Sequence, residues 1–118
     1  MSYTNEKTVP FAIASGQSLS DPLDSQGLEL LGILMPASWT AANLTFQGSP
    51  DGQSYADVYD RAGTEYTATA AASRLILLLP RDDLVPLRFL KVRSGTAGVP
   101  VAQAGGGRIL TLLVLAKD

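Results

Sequence analysis

The chain contains no cysteine and no histidine. Lacking cysteine, it has no disulfide, no thiolate metal site and no sulfur nucleophile, and its redox compartment leaves no mark on the sequence. Lacking histidine, it has no Ser-His-Asp or Cys-His catalysis and no zinc site of the usual kind. It also lacks the side chain best suited to moving protons near neutral pH. Charge is sparse and nearly balanced, with 9 Lys+Arg against 11 Asp+Glu for a net charge of -2. That balance gives no electrostatic drive toward phosphate backbones or anionic lipid, so neither nucleic acid nor a membrane is expected as a partner. The most apolar stretches, residues 75–79 and 109–116, fall far short of the roughly 20 residues that a bilayer span needs. The polar opening, residues 1–7, has no apolar segment behind a basic start. No secretory signal is therefore expected, and the product is expected to be made in the cytoplasm and to stay soluble.

What is present is a chain of 118 residues, 46% hydrophobic, punctuated by 11 Gly and 7 Pro. The length suits one domain with a core that needs no staple. Residues 8–15 alternate Val9, Phe11 and Ile13 with Pro10, Ala12 and Ala14, which predicts a strand, and the proline places it at a sheet edge. Residues 15–27 are rich in Ser, Asp, Gly and Gln and read as loop. Residues 28–35 are nearly all apolar between Gly27 and Pro36 and predict a strand buried on both faces. Residues 36–42 predict one helical turn capped by Ser38, with Trp39 plugging one end of the body. Further strands are expected at 43–48, 55–60, 64–70, 74–79, 87–93 and 109–116. A Pro-Asp-Gly turn lies at 50–52, and Arg61-Ala62-Gly63 closes a hairpin with Gly63 in the left-handed position. Residues 81–85 predict a second short helical turn. The sum is an all-β fold: a single antiparallel β-sandwich of seven to eight strands with at most one or two short helical turns, spanning residues 8–118 behind a polar arm at 1–7.

Residues 75–79 and 109–115 offer apolar side chains to both sides of a sheet, whereas a strand of a two-sheet sandwich buries one face and wets the other. Either the chain's own segments, such as the long loop at 94–107, cover the outer face, or a second subunit does.

With His and Cys gone, carboxylates are the only acid–base candidates. Asp57 and Asp60 stand three apart in a predicted strand and point to opposite faces, so they form no glycosidase pair by themselves. Asp82 and Asp83 read as solvated turn charges beside Arg81. A calcium site at Asp51, Asp57 and Asp60 lacks the spacing and closing Glu of a calcium loop. Gly105-Gly106-Gly107-Arg108 opens a strand and not a helix, so no phosphate cradle is expected. Gly16-Gln17-Ser18-Leu19-Ser20-Asp21 recurs as Gly52-Gln53-Ser54-Tyr55-Ala56-Asp57, which reads as shared turn chemistry. Arg88, Lys91 and Arg93 read as solvated strand charges. Tyr55, Tyr59 and Tyr66 read as cross-strand aromatic pairing or as a sugar-stacking face. No cofactor, metal or enzymatic activity is expected.

Residues 36–52, from Pro36-Ala37-Ser38-Trp39 to Ser49-Pro50-Asp51-Gly52, carry a resemblance, together with residues 58–65 and with Arg88-Phe89-Leu90-Lys91-Val92-Arg93-Ser94-Gly95-Thr96. Over residues 28–115 the chain resembles small structural proteins of tailed bacteriophages, the decoration or auxiliary proteins of the capsid. The resemblance implies a jelly-roll-like sandwich and a location in the virion. It implies contact with the major capsid protein and self-association, with a trimer favoured. Ser2, Tyr3, Thr4 and Asn5 of the arm, and Val99 and Val101 of the long loop, are then the expected subunit or shell contacts. The alternative is a carbohydrate-binding module of a tail or baseplate that uses Tyr55, Tyr59 and Tyr66.

Overall fold

Alternating apolar residues and turn-forming glycines and prolines set the strands, and the computed structural model describes residues 3–24, 28–78, 88–104 and 107–117 of the chain. Among the described residues eight strands run in order: β1 (Tyr3–Ile13), β2 (Leu23–Asp24), β3 (Leu28–Leu34), β4 (Leu44–Ser49), β5 (Ala56–Asp57), β6 (Leu75–Leu77), β7 (Phe89–Ser94) and β8 (Arg108–Lys117). They form two four-stranded sheets of order β1-β8-β3-β6 and β2-β7-β4-β5. Every pairing is antiparallel: β1 with β8, β2 with β7, β3 with β6, β4 with β5. The chain is thus one long hairpin, rolled up so that β8 also pairs with β3 and β7 with β4. That connectivity is the jelly roll.

Residues two apart share a face, so the inward rows are read directly from the register. In β8, Leu110, Leu112 and Val114 are fully buried; Phe11 pairs with Leu110, and Ile33 with Leu112. The other sheet contributes Leu44, Phe46, Leu90 and Val92. Each such side chain stabilises the fold by about 1.5–3 kcal/mol relative to exposure. Trp39 is half-buried against this core and donates its indole N–H to the Ala42 carbonyl at 3.1 Å.

Pro10 lies on β1, an edge strand, as its missing N–H requires. The hairpin at 61–63 also forms. Asp60 N–H bonds the Thr64 carbonyl at 2.9 Å, Gly63 N–H bonds the Asp60 carbonyl at 3.0 Å, and Gly63 sits at φ 87°. A Cβ at Gly63 would meet nothing within 4 Å. Gly63→Ala is therefore expected to cost only the left-handed backbone penalty, about 1 kcal/mol, read from urea denaturation.

Several expectations are corrected. The strand expected at 8–15 begins at Tyr3, so Tyr3, Thr4 and Asn5 belong to β1 and not to a free arm; Tyr3 pairs with Lys117 and Asn5 with Ala116. Backbone pairing with the long β8 does not require apolar side chains. Ser2 and the helical turn expected at 81–85 lie outside the described residues. No helix occurs among the described residues, so the turn expected at 36–42 is irregular. Residues 15–27 hold β2 and a stretch that adds to β7: Ser20 N–H bonds the Val92 carbonyl at 2.9 Å, and Ser94 N–H bonds the Ser18 carbonyl at 2.7 Å. The segment 64–70 makes only isolated bridges, Tyr59 with Glu65 and Leu44 with Ala68. Nor is β3 buried on both faces, because Leu34 is exposed.

Candidate functional site

The two outer faces differ in chemistry. On the β2-β7-β4-β5 sheet the outward row alternates Ser49, Gln47 and Thr45 on β4 with Phe89, Lys91 and Arg93 on β7. The chain folds residues 50–66 back over this row. The Lys91 ammonium lies 4.3 Å above the Tyr55 ring. Arg93 is buried: Nε bonds Thr45 Oγ1 at 3.0 Å, Nη1 bonds Asp57 Oδ1 at 2.8 Å and Nη2 bonds Glu65 Oε2 at 3.1 Å. Glu65 Oε2 also accepts the Ala97 N–H at 3.0 Å, and Thr45 Oγ1 donates to the Gly95 carbonyl at 2.7 Å. One guanidinium thus ties the hairpin to the loop after β7. The expected solvated charge at Arg93 is corrected: the strand does point it outward, but the outward side is covered. Arg88, by contrast, sits half-exposed in a fork with Asp24.

Asp82 and Asp83 lie outside the described residues, and the described candidates Asp51, Asp57 and Asp60 each take separate partners. Asp57 is held below the usual carboxylate range, chiefly by the Arg93 hydrogen bond. Asp51 is also lowered, by the N–H groups of Gln53 and Ser54 and then the Ser49 hydroxyl; it closes its own turn. Asp60 accepts the N–H groups of Ala62 and Thr64. Among the described residues no group of three or more acidic side chains is placed to hold a metal.

Of the three candidate tyrosines, Tyr59 and Tyr66 share a groove and Tyr55 lies elsewhere. Tyr55 pairs with Lys91 on the outer face. Tyr66 is half-buried with its ring edge-on to Phe46, centroids 5.6 Å apart. Tyr59 is 53% exposed and lines a shallow groove with Val58, Asp60, Arg61 and Tyr66.

The long loop after β7 is fastened to its own body over 94–104. Gly95 N–H bonds the Asn43 carbonyl at 2.8 Å, Val101 N–H bonds the Ser94 carbonyl at 2.9 Å, and Thr96 and Val99 close the tip. Val101 is half-buried, whereas Val99 is 70% exposed at that tip. Gln103 is fully buried; its Nε2 bonds the Thr40 carbonyl and Ser94 Oγ, and its Oε1 accepts the Thr40 N–H.

No family model, curated protein or solved structure matches this chain. Function must therefore be argued from its surfaces. The outer face of the β1-β8-β3-β6 sheet is the surface that stands out. Its rows run Leu77, Gly32, Leu113 and Thr8, then Leu75, Leu34, Thr111 and Pro10, with Ile109 beside Ala12 at the end. Leu34, Leu75, Leu77 and Ile109 are exposed, and none of these ten positions carries charge. Gly32 leaves a trough walled by Leu31, Leu75, Leu77 and Leu113. A Cβ at Gly32 would lie 2.6 Å from the Ile76 carbonyl oxygen, so glycine is required for β6 to approach. The apolar side chains of Leu75, Leu77 and Ile109 are therefore left open by the described residues.

Proposed function

We propose that this chain is a non-enzymatic structural protein of a tailed-bacteriophage virion, which decorates or stabilises the capsid through self-association and contacts with the major capsid protein. The observation that supports this reading is where apolar surface stays exposed: at Leu34, Leu75, Leu77 and Ile109 on one sheet face and at Val99 on the pinned tip, both carried by a hydrogen-bonded frame. Monomeric proteins seldom leave such contiguous apolar surface open unless it binds something. A capsid lattice also turns modest contacts into avidity, raising effective affinity about 10²–10⁴-fold without stronger individual bonds. Jelly rolls serve viral capsids and lectins alike, so the fold by itself chooses neither.

Val99 is the shell contact in this reading. The chain should co-sediment with capsids of the phage that encodes it, stripped of their own copies. Val99→Asp, at an exposed tip, should keep the melting temperature and reduce occupancy at least tenfold. Capsids that bind no chain at any concentration would refute the proposal.

A second reading, a carbohydrate-binding module of a tail or baseplate, is favoured by the groove that Tyr59 shares with Tyr66, Asp60 and Arg61. Glycan binding lost in Tyr59→Ala and kept in Tyr55→Ala, with no affinity for capsids, would select it.

A further inference from the structure

We infer that Glu65 is the positioning residue of the Val99 tip: its carboxylate ties the tip to the sandwich and sets where Val99 stands. The inference rests on the reading of Val99 as the shell contact and names the side chain that aims that contact. The loop is anchored at its base. There the Gly95 N–H bonds the Asn43 carbonyl at 2.8 Å, the Gly95 carbonyl accepts the Thr45 hydroxyl at 2.7 Å, and Gly95 faces Pro100 across an isolated bridge. Gly95 sits at φ 93°, and a Cβ there would lie 2.5 Å from the Val99 carbonyl oxygen, so only glycine makes this turn. Beyond the base, Thr96 and Val99 bond each other. The Thr96 N–H reaches the Val99 carbonyl at 3.1 Å, and Thr96 Oγ1 accepts the Val99 N–H at 3.0 Å. Those bonds shape the tip but do not aim it. Among the described residues, the only hydrogen bond from residues 96–99 to the rest of the body runs from the Ala97 N–H to Glu65 Oε2, at 3.0 Å.

Glu65 is itself held at both ends. Its backbone pairs with Tyr59 across the hairpin, and its carbonyl accepts the Thr67 hydroxyl at 2.9 Å. Its side chain is mostly buried, and Oε2 takes Arg93 Nη2 at 3.1 Å beside the Ala97 N–H. Arg93 in turn is fixed on β7 through Thr45 and Asp57. A hydrogen bond to an ionised acceptor is roughly twice as strong as one between neutral groups, so a single atom can hold a short tip. An apolar anchor that is already ordered avoids the cost of being ordered on binding. Released from Glu65, the same valine should dock about tenfold more weakly, the cost of fixing about one residue of backbone.

The test is nitrogen-15 relaxation of the full chain, read as backbone order parameters at residues 96–99 against those of β8. In wild type both should lie at about 0.85, the value of rigid backbone. Glu65→Met removes the acceptor and fills its space, and the tip should fall below about 0.6 while β8 keeps its value. Glu65→Gln retains an acceptor oxygen and should keep the tip ordered. Asp57→Ala disturbs the same cluster but leaves the Ala97 bond, so it too should keep the tip ordered. Should Glu65→Met fail to fold, Arg93→Met combined with Glu65→Leu exchanges the buried ion pair for apolar side chains, a change that folds often tolerate, and the tip must be loose there. A tip that stays ordered without the carboxylate overturns the inference, as does a tip loosened equally by Asp57→Ala. Capsid occupancy is read separately, and Glu65→Met should lower it about tenfold with Val99 untouched. A loosened tip on a chain that binds no capsid leaves this inference standing while the virion reading fails. A tip still ordered in Glu65→Met, on a chain that decorates capsids through Val99, does the reverse.

Discussion

Arg93→Met is expected to destabilise the fold by about 3–5 kcal/mol, the cost of removing one partner from a buried ion pair and leaving the other uncompensated. Methionine fills the space of the side chain, so cavity formation contributes little. The damage comes from the carboxylates. Asp57 is about a third exposed and recovers solvation, but Glu65 is only 16% exposed and keeps the Ala97 N–H alone. Pairing the change with Glu65→Gln should recover part of the loss, because the stranded charge is then gone. Hydrogen exchange localises the effect: amide protection at Asp60, Tyr66 and Val101 should fall before that of β8, since Arg93 fastens the hairpin and the following loop to the sheet. A loss below about 1 kcal/mol in urea would show that this cluster is merely superficial.

The same contact fixes a pH dependence. The folded-state pKa of Asp57 lies below its ordinary value of 3.8, with the Arg93 hydrogen bond as the main cause. A depressed carboxylate contributes stability that is present above its unfolded value and lost as pH falls through the folded one. Wild type should therefore lose stability more steeply below about pH 4 than Arg93→Met does. Equal acid slopes in the two proteins would contradict this assignment.

Much of the architecture is legible in the residues. Pro10 marks an edge, Arg61-Ala62-Gly63 marks a hairpin, and the nearly unbroken apolar run at residues 109–116 marks the last strand; all depend on chemistry within a few positions. The two-sided apolar runs at 75–79 and 109–115 likewise announce an outer face needing cover. What the residues hide is long-range. Arg93 reads as a solvated charge because period-two alternation points it outward, and only the fold-back of residues 50–66 makes that side an interior. Residues 18–20 read as loop because Ser and Leu there take their ladder partners from β7, more than seventy positions away. The tyrosine contacts are hidden for the same reason, since Tyr55 meets Lys91 thirty-six positions away and Tyr66 meets Phe46 twenty positions away.

Gln103→Leu should cost about 2–3 kcal/mol although it exchanges side chains of similar size. A neutral amide at the centre of several segments is an easy residue to overlook. Its Nε2 reaches the Thr40 carbonyl at 3.0 Å and Ser94 Oγ at 2.7 Å, and its Oε1 takes the Thr40 N–H at 2.8 Å and Arg108 Nε at 3.3 Å. Its backbone exchanges bonds with Gly16 and Gln17. Leucine keeps that backbone pairing and the packing but strands Ser94 Oγ, which is fully buried, and the two backbone groups of Thr40. With a urea slope of about 1–3 kcal/mol/M, the midpoint should fall by about 1–2 M with the slope itself unchanged. Gln17→Ala is the control: its side chain is exposed and only its carbonyl takes part, so stability should stay within about 0.5 kcal/mol of wild type. Equal midpoints for Gln103→Leu and Gln17→Ala would mean that water replaces the amide, and that the loop carrying Val99 is not held rigid by it.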